Sequence, residues 1–145
     1  MRYYVFCLIF VMCFTFSCKK EMSPEEKIRA QIEEIRDYAN KRQIGKIMEY
    51  ISPDYKDAYG NRRETIKGIL IQNLMFRKNV RVIIKDINVQ IEQNDAAAQI
   101  GLFVKEGEGI IPDNADIIKI EVRLIRSGSV WLITSAHWKS GASPF

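Results

Sequence analysis

After residue 18 the chain has no cysteine. Cys7, Cys13 and Cys18 are its three cysteines, all near the N-terminus. A disulfide framework, a cysteine metal site and a cysteine nucleophile are therefore excluded from the folded part. Histidine is nearly as scarce, with His137 the only one. No phosphate-cradling glycine loop, HExxH pattern or nucleophile elbow occurs. No basic stripe occurs either: 22 lysines and arginines are interleaved with 18 acidic residues, for a net charge of +4. That pattern describes a solvated surface and excludes a dedicated nucleic-acid face. Beyond the first seventeen residues no apolar run is long enough to span a bilayer, and there are no internal repeats or low-complexity tracts.

What is present is an ordinary globular composition. Of 145 residues, 47% are apolar and 28% charged, enough for one domain with a sizeable core and too short for two comfortable ones. The first segment stands apart. Arg2 precedes an almost continuous apolar stretch from Tyr3 to Phe16, the length of a signal h-region and short of the ~20 residues of a spanning helix. Ser17-Cys18 closes it, followed by Lys19-Lys20. A small residue before a cysteine at that place resembles the lipobox of bacterial lipoproteins. The resemblance implies cleavage before Cys18 and lipidation of that cysteine, hence an exported protein anchored to a membrane of the cell envelope, on its periplasmic side or at the cell surface. Thr15-Phe16-Ser17-Cys18 departs from the pattern in lacking leucine three residues before the cysteine and in having a bulky Phe16. Ordinary secretory cleavage and an uncleaved anchor are the alternatives. The expected organisation is a signal peptide over 1–17, lipidated cysteine and polar tether over 18–23, a domain over 24–139 and a tail over 140–145.

Ser23-Pro24-Glu25-Glu26 is a helix start with a capping box and proline at the first position. Ile28, Ile32, Ile35 and Ala39 recur on one face, which predicts an amphipathic helix over Pro24 to Asn40. A second helix is expected from Gln43 to Ile51, stopped by Ser52-Pro53. A third is expected from Arg62 to Arg77, capped by Asn61 and containing Gly68, which either weakens it or marks close packing. Strands follow. In Val80 to Ile91 the apolar parity changes midway, predicting a β-bulge near Lys85-Asp86. Ala96 to Val104 and Ile117 to Arg126 alternate cleanly, and Val130 to Trp138 is the last strand. Short and hairpin-like connections make the sheet antiparallel.

The fold class is therefore α+β: three N-terminal helices packed on a curved, bent four-stranded antiparallel sheet. The order resembles the nuclear transport factor 2-like (cystatin-like, ketosteroid-isomerase-like) superfamily. The resemblance rests on the opening helix, on Ile47-Met48-Glu49-Tyr50-Ile51-Ser52-Pro53-Asp54-Tyr55, on Asp57 and Gly60 before a helix, and on the closing Gly128-Ser-Val-Trp-Leu-Ile133. It implies a curved sheet wrapped around a helix, often enclosing a conical pocket. It does not imply one function, since isomerases, dehydratases, binders and inactive interaction modules share the fold.

Candidate site residues are few. Tyr55, Asp57, Tyr59 and His137 are the expected ligand-binding set. His137 shares strand parity with Trp131, Ile133 and Ser135, a face read as concave. An Asp–His pair drawn from Asp54 or Asp57 and His137 could supply a general base; the alternative is that the aspartates pin a turn and His137 is structural. Glu106 and Glu108 flank a glycine, but two carboxylates make a poor calcium site, so no metal and no cofactor is expected. The leading reading is a lipid-anchored, non-catalytic domain binding a small apolar ligand or a protein partner. The runner-up is a pocket isomerase or hydrolase using the Asp–His pair. A third is a structural or assembly module of the envelope, such as a homodimer formed through the outer sheet face.

Overall fold

The computed structural model describes residues 21–76, 79–107 and 117–139. The N-terminal segment expected to act as a signal peptide, with Cys18, the loop containing Glu108 and the tail lie outside the described residues. Helix α1 is Pro24–Asn40, α2 is Ile44–Met48 and α3 is Arg63–Met75; strands β1 (Val80–Glu92), β2 (Asp95–Glu106), β3 (Ile118–Ser127) and β4 (Val130–Lys139) follow. The strands form one antiparallel sheet in the order β1-β2-β3-β4.

The start of α1 is set by its sequence. The Glu26 amide donates to Ser23 Oγ at 3.2 Å, and the Ser23 amide donates to Glu26 Oε2 at 2.7 Å, so two otherwise unpaired donors are satisfied. Helix α2 is shorter than expected. It stops at Met48 because the following backbone pairs with the sheet: the Ile133 amide donates to Tyr50 O and the Ser52 amide to Ile133 O. Asn61 does not cap α3. Arg62 holds that position without a side-chain bond, and Asn61 turns to Asp57 instead. Gly68 faces open space, so it marks no close packing and simply weakens the helix.

Helix α1 places one amide side chain on each free edge of the sheet. Gln31 donates to Trp131 O at 2.6 Å and accepts from the Trp131 amide at 3.0 Å, occupying the outer edge of β4. Asn40 donates to Val82 O at 3.0 Å and accepts from the Val82 amide at 2.7 Å, doing the same on β1. Arg29 adds a bond to Ile87 O. One helix can reach both edges only if the sheet curls around it.

The bend comes partly from a bulge at Lys85, where the β1–β2 register shifts between Ile84 and Asp86. Across from it, the Asp86 carboxylate lies over Gly101, so close that a Cβ there would meet it at 2.6 Å. Ile28, Ala98 and Leu124, each at most 1% exposed, mark the core between α1 and the concave face.

Replacing Gln31 or Asn40 by leucine strands one edge N–H and one edge C=O. The Gln31 variant is expected to lose about 2–4 kcal/mol, because a buried unpaired peptide group costs about 1–3 kcal/mol, and the Asn40 variant less, because its bonds to Val82 are only part-buried. Gln31→Glu should do no better, since a carboxylate cannot donate to Trp131 O. Denaturant unfolding with an unchanged m-value checks this; losses below 0.5 kcal/mol, within the range of an ordinary surface change, would show that the amides do not hold the edges.

Candidate functional site

Beyond the core, the concave face and the helices enclose a cavity of about 250 Å³. Its walls come from every layer. Ile32 and Ile35 belong to α1, Leu70 and Leu74 to α3, and Ile100 and Leu102 to β2. Almost no polar surface faces it. The polar side chains on the wall are already engaged. The Arg36 guanidinium is paired with Glu33 at 2.6 Å and Asp37 at 2.9 Å. Asn73 donates to Ile69 O at 2.9 Å, within its own helix. Tyr55 directs its hydroxyl to Asp57 Oδ2 at 3.4 Å.

The last strand changes the expected lining. The β3–β4 register shifts between the pairs Arg123–Ser135 and Leu124–Ile133, which leaves Thr134 as an extra residue. This second bulge reverses side-chain parity beyond it. Trp131 and Ile133 point inward before it; Ala136 and Trp138 line the cavity after it. His137 is therefore exposed on the opposite face, and the expectation that it shares the concave face with Trp131 is corrected. The signal was present in sequence: Trp138 breaks the parity of Trp131 and Ile133, much as the apolar parity of β1 breaks at its bulge.

The expected site residues separate into three places. Tyr55 is buried, at 3% exposure, and lines the cavity. Asp57 is also buried but works within its own loop. Its Oδ1 accepts from the Tyr59 and Asn61 amides, both at 2.9 Å, and its Oδ2 from Asn61 Nδ2 at 2.9 Å. Tyr59, 64% exposed, stacks on His137 outside, with centroids 6.1 Å apart. Asp54 is exposed, its amide donating to Ser52 Oγ at 3.2 Å. Among the described residues no hydrogen bond or ion pair joins His137 to Asp54 or Asp57. No cluster of three or more metal-ligating side chains exists among them either.

Sequence reasoning missed how this loop is fastened. Arg63 reaches back to Met48 O at 2.8 Å and Ile51 O at 3.2 Å, satisfying carbonyls at the end of α2. The Lys56 amide donates to Thr134 O at 3.0 Å, at the bulge. Nearby, Glu34 accepts from the hydroxyls of Tyr38 and Tyr50. Those two hydrogen bonds lower its pKa, Tyr38 more than Tyr50. Trp138 Nε1 is the one buried side-chain polar atom without a partner among the described residues.

Two phenols are pushed up to about 12, Tyr55 mainly by burial and then by the charge of Asp57, Tyr50 mainly by burial and then by its bond to Glu34. The unfolded chain releases these protons near the ordinary value of 10.0, while the folded protein retains them. The contribution of these two phenols should therefore be level below pH 10 and fall as pH rises from there to about 12. Urea midpoints across that range test this. Tyr55→Phe should make the decline shallower; an unchanged slope would mean that burial does not hold the Tyr55 proton.

No known protein family matches the chain by sequence, and neither does any curated protein. Solved structures do match. Bdellovibrio bacteriovorus Bd1075 aligns with a TM-score of 0.66 at 10% identity over 79% of this chain, which spans only 40% of that protein. A nuclear transport factor 2-like protein of unknown function from Pseudomonas putida KT2440 aligns at 0.67 and 16% identity, covering 81% of this chain and 87% of the other. A candidate scytalone dehydratase from Novosphingobium aromaticivorans aligns at 0.66 and 10% identity, covering 80% and 83%. Others are described as cystatin-like. The chain has the nuclear transport factor 2-like, cystatin-like fold.

Proposed function

We propose that this domain binds a small apolar molecule in its conical cavity without transforming it, and that it does so tethered to the cell envelope through a lipid on Cys18. The cavity is the observation that carries the first part. A space of about 250 Å³ walled by aliphatic side chains leaves apolar surface unpacked, and each Å² of it forgoes roughly 25 cal/mol that burial would supply. A fold that keeps such a space open has a use for it, and the use that fits an apolar wall is an apolar occupant.

The likeness to a candidate dehydratase brings no catalytic group with it. A general base must reach the substrate, yet His137 is outside and the Asp57 oxygens are held by loop donors. Tyr55 is the one member of the expected ligand set on the wall, and its hydroxyl is committed to Asp57.

Titration with N-phenyl-1-naphthylamine, a neutral apolar fluorophore, tests the binding reading. Fluorescence should rise and saturate at one molecule per chain. Filling the space by Ala136→Phe or Val104→Phe should abolish the rise while cooperative unfolding persists, and His137→Ala should leave it unchanged. A signal that survives both filled variants would place binding elsewhere and sink the proposal.

The anchor rests on Ser17-Cys18 closing the apolar N-terminal run. Each buried CH₂ of an acyl chain adds about 0.8 kcal/mol of membrane affinity. Expressed with its full N-terminus, the wild type should fractionate with membranes and incorporate labelled palmitate; Cys18→Ala should do neither. Equal labelling of the two would end the lipidation claim.

A further inference from the structure

The cavity wall says more about its occupant than that it is apolar. Resting on the binding reading above, we infer that the ligand is a single-headed amphiphile: a hydrocarbon body that fills the cone and one polar group that stays outside.

Three observations combine. First, the wall offers few polar groups to a second polar atom: apart from Arg36, Tyr55, Asn73 and Trp138 its lining side chains are aliphatic. Arg36 is paired with Glu33 and Asp37, the Tyr55 hydroxyl goes to Asp57 and Asn73 donates to its own helix. The indole Nε1 of Trp138 is buried without a partner among the described residues. A polar atom carried into the aliphatic part of the cone would lose its water without gaining a hydrogen bond. Second, the size is limited. About 250 Å³ exceeds the roughly 150 Å³ that admits benzene and falls below the roughly 300–1,000 Å³ of pockets for drug-sized ligands. Third, apolar surface continues outward from the wall. Helix α3 lines the cavity with Leu70 and Leu74, then exposes Met75 (54%) and Phe76 (79%) at its end. These exposed side chains offer hydrocarbon an apolar contact on the helix that lines the cavity, while the charged residue lining it, Arg36, has a side chain only 29% exposed.

Primary alcohols from butanol to decanol, with 1,8-octanediol and naphthalene as comparisons, test the inference. Binding is read from the methyl resonances of the cavity isoleucines in the full domain. Affinity should rise about fourfold per added methylene, the value of one buried CH₂, and level off when the cone is full. The diol should bind at least about tenfold more weakly than 1-octanol, because its second hydroxyl enters the wall. A diol as tight as octanol, or an affinity independent of chain length, overturns the inference. So does binding of naphthalene alone, which would leave the apolar site standing with a different occupant. If neither the alcohols nor naphthalene bind, the binding reading fails and this inference with it.

Discussion

A four-stranded sheet has two edges, and each presents a row of peptide groups that must find partners. This fold meets that constraint from one helix. Gln31 pairs with Trp131 on β4 and Asn40 pairs with Val82 on β1, each side-chain amide donating and accepting as a neighbouring peptide would. The middle of the β4 edge is met by the loop that follows α2: Tyr50, Ser52 and Lys56 bond to Ile133 and Thr134. With both edges tied to elements on one face, the sheet has to curl toward that face. Curling closes the narrow end around Ile28 and leaves the wide end, from Ile32 onward, open as the cavity.

The loop from Met48 to Gly60 is thus a joint before it is anything else. Asp57 binds four donors from its own loop, which fixes the path on which Tyr55 reaches the wall. Arg63 ties the same stretch to the start of α3. Carboxylates and aromatics clustered in a short loop resemble an active site in sequence, but here the polar atoms turn toward the backbone. The cavity receives the Tyr55 ring and little else that is polar.

Local features were legible in the sequence. The capping box at Ser23, the clean alternation of β2 and β3, and the bulge forced by the parity change between Ile84 and Ile87 all follow from period and side-chain chemistry. Features depending on distant partners were not. Gln31 reads as one more polar residue on an amphipathic helix, because its partner is 100 residues away. Asn61 reads as a cap, because the competing carboxylate at Asp57 is revealed only by the turn. The second bulge hides behind Thr134, Ser135 and Ala136, small or polar residues that mark neither face, so strand parity alone puts His137 on the wrong side. Only the position of Trp138 held the clue, and the candidate site moved with it: from a histidine and two aspartates to a wall of isoleucine, leucine and valine.

The central claim is that the curl held by α1 keeps an apolar space open. Crystals pressurised with xenon test it most directly, since xenon enters dry apolar cavities and needs no polar partner. The account predicts a xenon atom between Leu74, Ile100 and Leu102, with little movement of the surrounding side chains. A cone collapsed by those side chains, with no xenon inside it, would contradict the claim.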